Sequence, residues 1–372
     1  MRLCLTNVKP SIANKKKNLK KMEKTLGDEQ AEMFVFGELC LTGYTCRDEF
    51  RDLAEPLDGP SVQAVGDMAR EHHCSVVFGM PLRERPGLIF NAAVLVNPDG
   101  SARAYRKSFL PNFGPFEERF YFTPGHQLPV FSTPLGTVGL CICYDLFFPE
   151  LIKGLALGGA DLVVCISASP TMSQDFFEAI LPARAIENTV FMAYANLVGT
   201  QESLDFWGGS QVYGPQGRLI KKSDYMKEGS IVADLDLSLL EEARAARPTL
   251  RDTRAGLFEN LYHLAAGHPR HGGAALVGLH MGSYAHQRMK VDRVTAYGPP
   301  DLADGIVFAT GCPRDRIASE SHHTWGAAFT SAEGKRLTLW LKDEVHQKLE
   351  RMADTSLLRY VQPESIFSVE ES

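Results

Sequence analysis

The sequence predicts an α/β fold followed by a small α+β domain, and three observations carry that reading. The first two thirds alternate short apolar runs with amphipathic stretches, the pattern of a sheet covered by helices. Turn signals such as "NPDG" and "GPQG" separate apolar runs and read as hairpin connections. Near "RPTLRDTRAGLFENLYHLAAGHPRHGG" the pattern weakens and composition changes, so that eight of the eleven histidines fall at or after His263. The expected boundary lies near residue 265, dividing the chain into 1–265 and 266–372. A chain of 372 residues, 44% hydrophobic and 23% charged, has enough apolar surface for a large core and is too long for one typical domain.

In chain order, the expected strands are "RLCLTNV", "MFVFGE", "SVVFGMP", "NAAVLVNPDG", "TVGLCICYD", "DLVVCISAS", "VFMAYANLVG" and "GSQVYGPQG". Amphipathic spacing predicts helices over Ala13 to Leu26, Ser61 to His72, Pro149 to Leu157 and Phe176 to Asn188. Behind residue 265 a new alternation begins with "LVGLHMGSYAHQRM", "DGIVFATG" and "GAAFTSAEGKRLTLWL", and "DEVHQKLERMA" reads as a helix. There are no internal repeats and no low-complexity segments.

Composition narrows the function classes. A net charge of −6 with scattered lysines and arginines gives no basic footprint for phosphate backbones, so nucleic acid is not an expected partner. No apolar run approaches the ~20 residues that span a bilayer, and the N-terminus has its charges after a short apolar stretch, the reverse of a signal peptide. Eight cysteines in a chain of this length do not make a disulfide framework, and none has zinc spacing. The expectation is a cytoplasmic protein without a membrane segment, a metal or an organic cofactor.

The candidate chemistry centres on Cys143, delivered by "TVGLCICYD" to the end of a strand just ahead of a helix expected to open at Pro149. In open α/β sheets, the carboxyl ends of strands gather ligands and reactive side chains. A following helix would also favour the thiolate through its N–H groups and dipole. Position alone does not separate Cys143 from a buried inert thiol, the fate expected of Cys4, Cys141 and Cys165. Glu38 ends the apolar "MFVFGE" run, where a buried acid is costly unless it has a task. Lys107 follows a strand and precedes an aromatic, Pro/Gly-rich loop that fits a pocket wall; alone, it reads as a surface lysine.

Together, "FGELCLTGY", "RKSFLPNFGPFEERFYFTPG" and "GLCICYDLFFPE" resemble the three catalytic blocks of the nitrilase, or carbon–nitrogen hydrolase, superfamily in order and separation. "ARAIENTVFMAYANLVG" and "WGGSQVYGPQG" are similar to later family segments, so the likeness covers residues 1 to about 265. The resemblance implies a four-layer αββα sandwich that often forms a homodimer or larger homo-oligomer. It makes Glu38 the general base, Lys107 the catalytic lysine, Cys143 the nucleophile and Glu118 the second glutamate, with Glu117 the poorer match. Gly37 stands where the family usually has proline, and glycine is expected to loosen the hold on Glu38.

The implied chemistry is attack by Cys143 on a small-molecule amide, with Glu38 as base and Lys107 and the Tyr144 N–H at the oxyanion. Phe113, Phe116, Tyr144, Phe147 and Trp207 are expected to make an aromatic entrance. "CYD" at the nucleophile resembles amidases, carbamoylases and the glutaminase domain of glutamine-dependent NAD synthetase, whereas true nitrilases usually carry "CWE". No "SGGxDS" motif follows, so a complete synthetase is not expected. Two rival readings are a catalytically silent binding protein and a soluble acyl transferase. The C-terminal part faintly resembles the E-type domains of formylmethanofuran dehydrogenase, but Gly273 replaces a box histidine and the box cysteine is missing. His271 and Cys312 are a poor ligand set. His322 and His323, being adjacent, are expected to point apart on a helix or a strand.

Overall fold

A computed structural model of the chain describes residues 1–258, 261, 273–352 and 363–371. Two compact units divide between Thr253 and Arg254. The expected boundary at residue 265 lies outside the described residues, as does His271.

The first unit contains two six-stranded sheets. One has the order β14-β1-β2-β3-β4-β5, with β1 Arg2–Asn7, β2 Met33–Val35, β3 Ser75–Arg85, β4 Leu88–Val96, β5 Ala102–Arg106 and β14 Gly229–Asp234. The other has the order β13-β12-β9-β8-β7-β6, with β6 Val130–Thr133, β7 Gly136–Ile142, β8 Leu162–Ser167, β9 Phe191–Asn196, β12 Gln211–Tyr213 and β13 Leu219–Lys222. A separate hairpin joins β10 Val198–Gln201 to β11 Leu204–Trp207. In each large sheet the three central strands, β1-β2-β3 and β7-β8-β9, run parallel.

Side-chain alternation explains the layers. Leu3 and Leu5 of β1 share one core with Val35, Val77, Leu95, Leu140 and Ala193, so the two sheets bury their inner faces against each other. Cys4, Phe34, Val76 and Val94, one position out of step, pack with Met22 and Leu26 of the helix Lys15–Asp28 and with Val62 and Val65 of the helix Pro60–Glu71. The helices Pro149–Leu157 and Gln174–Asn188 pack on the second sheet. This is a four-layer αββα sandwich, and strands buried on both faces are near-continuous apolar runs for that reason. "NPDG" and "GPQG" form the β4–β5 and β12–β13 turns, with Gly100 and Gly217 at φ values of 82° and 78°. Strands β6, β11, β13 and β14 escaped the sequence reading; each is short, and β13 is largely exposed.

The second unit has its own core and a five-stranded sheet, β16-β15-β17-β18-β19, with β15 Arg293–Tyr297, β16 Ile317–Glu320, β17 Gly326–Thr330, β18 Arg336–Leu341 and β19 Phe367–Glu371. The segments "LVGLHMGSYAHQRM" and "DGIVFATG", read as part of a new alternation, belong instead to the helices Gly273–His286 and Pro300–Thr310. Short apolar runs do not separate a buried helix from a buried strand by period. These two helices pack closely because Gly278 leaves room: a Cβ there would meet Leu302 O at 2.0 Å. His322 and His323 also depart from expectation. They lie in the connection between β16 and β17, outside helix or strand, and their rings stack at 4.4 Å.

One close approach fixes the site-bearing part of the first sheet. A Cβ on Gly79 would stand 2.2 Å from the main-chain N of Leu39, which itself has φ 50°. Gly79→Ala should therefore push the turn after Glu38 outward and destabilise the fold by about 1–3 kcal/mol, read as a lowered urea midpoint at unchanged slope. An unchanged midpoint would show that the turn has slack.

Candidate active site

The four residues singled out from sequence converge although they come from different segments. Glu38 stands three residues beyond β2, Lys107 directly follows β5, Glu118 opens the short helix Glu118–Tyr121, and Cys143 directly follows β7. Lys107 and Glu38 are fully buried, and Glu118 nearly so. Lys107 Nζ donates to Glu38 Oε1 and to Glu118 Oε1, each at 2.7 Å. Burial alone would depress the ammonium pKa, but Glu118 and Glu38 outweigh it and hold Lys107 above its ordinary value. Lys107 is therefore a fixed cation.

Glu38 is held from three sides. Besides Lys107, Asn91 Nδ2 donates to Oε1 at 2.7 Å and the main-chain N–H of Ala168 donates to Oε2 at 2.8 Å. Gly37 does not loosen this arrangement, contrary to expectation. A Cβ at 37 would meet Leu197 Cδ2 at 2.8 Å and Ser167 O at 3.0 Å, so packing constrains the segment and only glycine fits without a shift. Glu118 Oε1 also accepts from the Tyr44 hydroxyl at 2.8 Å. Burial pushes the Glu118 carboxyl up to about 7, with Glu38 adding to the rise and Lys107 opposing it.

Cys143 has φ 48°, an uncommon conformation for a residue with a side chain, and opens a tight 3-10 turn, Cys143–Phe147. The α-helix opens at Pro149 as expected, with the 3-10 turn standing between it and the thiol. Burial, followed by Glu38, pushes the Cys143 thiol well above its ordinary pKa, while Lys107 pulls it down. The resting thiol is protonated and requires a base. The residue itself is buried, at 9% exposure.

Asp145 braces the nucleophile turn. Its carboxylate accepts from Ile142 N at 2.9 Å, Phe109 N at 2.9 Å and the Tyr105 hydroxyl at 2.8 Å, tying the turn to the loop that carries Lys107. Burial pushes this carboxyl up to about 6. The aromatic expectation divides. Phe113, 52% exposed, touches Phe116 and Tyr144, and Tyr144 touches Phe147. Trp207 is fully buried and stacked on Tyr194, so it is core and not entrance. A cavity of about 240 Å³ is lined by Tyr44, Phe50, Glu118, Tyr121 and Leu204, and the ion pair Arg47–Glu202 at 2.6 Å stands among its lining residues.

Sequence reasoning missed Asn91, Tyr44 and the Ala168 N–H. Asn91 left a signal, a lone amide at the head of the apolar run "NAAVLV"; the Ala168 N–H left none, because every residue except proline has one. In the second unit, Cys312 is buried, with its thiol directed at Asp292 O at 3.4 Å. Among the described residues no group of three or more His, Cys, Asp or Glu side chains is placed to hold a metal ion. No helix among them is long and apolar enough to cross a membrane.

The four-layer sandwich thus gathers Cys143, Glu38, Glu118 and Lys107 into one buried cluster. The carbon-nitrogen hydrolase family model matches residues 5–245, and the chain belongs to that family. A probable nitrilase of Schizosaccharomyces pombe is 34% identical over 61% of this chain and 86% of its own length. An (R)-stereoselective amidase of Pseudomonas is 33% identical over 60% of this chain and 80% of its own. Among solved structures, a mutant amidase from Nesterenkonia, captured after Michael addition of acrylamide at its active-site cysteine, aligns with a TM-score of 0.62. It is 30% identical and covers 70% of this chain and 99% of its own.

The raised Glu118 carboxyl has a consequence for stability. Its folded pKa of about 7 exceeds the ordinary 4.5, so the native state keeps a proton that the unfolded chain releases. That contribution is fully present below about pH 4.5 and is lost as pH rises through 7. The unfolding free energy of wild type minus that of Glu118→Gln should therefore fall between pH ~5 and ~8, by on the order of 1–3 kcal/mol in urea titrations. A difference that stays flat or rises would contradict the assigned burial effect.

Proposed function

We propose that the protein hydrolyses the carbon–nitrogen bond of a linear amide or carbamoyl amide through a thioester on Cys143. The observation that carries this reading is the buried Lys107 ammonium, fixed 2.7 Å from both Glu38 and Glu118 in the surroundings of the thiol. Glu38 accepts the Cys143 proton as sulfur attacks the carbonyl carbon, since the thiol is protonated at rest. The carbonyl electron pair moves to oxygen, which the Lys107 ammonium and the Tyr144 N–H stabilise, each donor being worth roughly 3 kcal/mol.

Glu38 then returns the proton to the leaving nitrogen, the C–N bond breaks, and ammonia or an amine departs. Water attacks the thioester with Glu38 again as base, which restores the thiol and frees the acid. Glu118 orients Lys107 from the far side and is itself held by Tyr44. Tyr144, Phe113 and Phe147 line the approach in this scheme. "CYD" and the Pseudomonas amidase relationship favour amide over nitrile substrates.

Ammonia release from a panel of linear amides and carbamoyl amides tests the proposal, with Cys143→Ala as blank. Wild type should turn over at least one amide, and intact-mass spectra of quenched reactions should show an acyl adduct on Cys143. Glu38→Gln should lower kcat by about 10²–10⁴-fold. Turnover that survives in Cys143→Ala would sink the mechanism.

A further inference from the structure

Ser167 is the last residue of β8, and the parallel pairing of Ile142 with Ile166 sets it beside Cys143, the residue after β7. Its main chain is already committed to the base. Ser167 O accepts from Glu38 N at 3.2 Å, and the next N–H, that of Ala168, donates to Glu38 Oε2. Its side chain is fully buried, and its Oγ makes no hydrogen bond of good geometry although it lies close enough to the Cys143 thiol and the Tyr194 hydroxyl to pull both of their pKa values down. A buried hydroxyl without a good partner is costly, and such a group calls for an explanation. A neighbour whose hydrogen bond becomes a good one only when it takes on negative charge supplies one.

Counting donors identifies that partner. Lys107 has three protons, two of which are used by Glu38 and Glu118. The third is required by the carbonyl oxygen when it becomes an oxyanion. The sulfur, once stripped of its proton, then needs another donor. We propose that the Ser167 hydroxyl donates a hydrogen bond to the Cys143 sulfur as the thiolate forms and again as it leaves the thioester, making Ser167 a fifth catalytic residue.

The groups that face the thiol from the surrounding segments are Glu38, Glu118, Lys107, Tyr44 and Tyr194. Burial first and Glu38 second push the thiol pKa up, whereas Lys107 and the Ser167 hydroxyl pull it down. Ser167 is the neutral member of that stabilising pair and adds no charge to a site with two carboxylates. No proton is transferred from it. The thiol proton goes to Glu38, the C–S bond forms as the carbonyl pair moves to oxygen, and Ser167 keeps its own hydrogen throughout.

This inference rests on Cys143 being the nucleophile, and the test does not need turnover, so failure of one reading does not hide failure of the other. Alkylation of Cys143 by iodoacetamide is followed against pH in the full chain, with the modified peptide identified by mass spectrometry. Ser167→Ala should move the inflection upward by about one to two pH units, the size expected for a hydrogen bond to a charged group. With any amide that wild type hydrolyses, kcat/KM should drop about tenfold or more. If Ser167→Ala does not fold, Ser167→Gly removes the same hydroxyl and is read in the same way. A folded variant whose alkylation profile coincides with that of wild type would overturn the proposal.

Discussion

The buried ammonium of Lys107 between two carboxylates is the constraint around which the first unit is arranged. Taking three ionisable groups out of water is expensive, and their attraction offsets that cost only when geometry and further hydrogen bonds are good. Here the further bonds come from Asn91, the Ala168 N–H and Tyr44. Each arrives on a different strand or turn, so assembly of both sheets completes the site. Removing one member of such a group leaves an uncompensated charge and costs about 3–5 kcal/mol. Function and fold are thus coupled at the same atoms.

The nucleophile is positioned by a different device. A left-handed residue at the strand end turns the thiol out of the sheet, and Asp145 holds that turn by three hydrogen bonds to the Lys107 loop and to Ile142. The turn that carries the thiol is thereby tied to the segment that carries the lysine. Burial pushes the Cys143 thiol up, and Gly37 and Gly79 let the Glu38 turn lie close to neighbouring main chain. Backbone contacts of this closeness admit no side chain.

The second unit shows where the sequence pattern ran out. Its described helices Gly273–His286 and Pro300–Thr310 are apolar on most sides, because they pack on each other and on a sheet. A helix with little amphipathic contrast carries little period to detect. In the first unit the helices Lys15–Asp28 and Pro60–Glu71 have clear amphipathic contrast, cover a sheet face and stand out. The edge strand β13 was invisible for the opposite reason, since a short, exposed strand that ends in two lysines resembles a loop.

What the sequence determined by itself was the α/β alternation of the first unit, the family resemblance, and the identities Glu38, Lys107, Glu118 and Cys143. Those are properties of local pattern and residue type. Only the tertiary structure decided that Lys107 is a fully buried cation, that Trp207 belongs to the core, that Gly37 tightens its segment, and that Asn91, Tyr44, Asp145 and main-chain N–H groups hold the site. Hydrogen bonds between residues tens of positions apart depend on strand register and layer packing. Neither is written in the spacing of any one segment, because each partner's local sequence is compatible with many other neighbours.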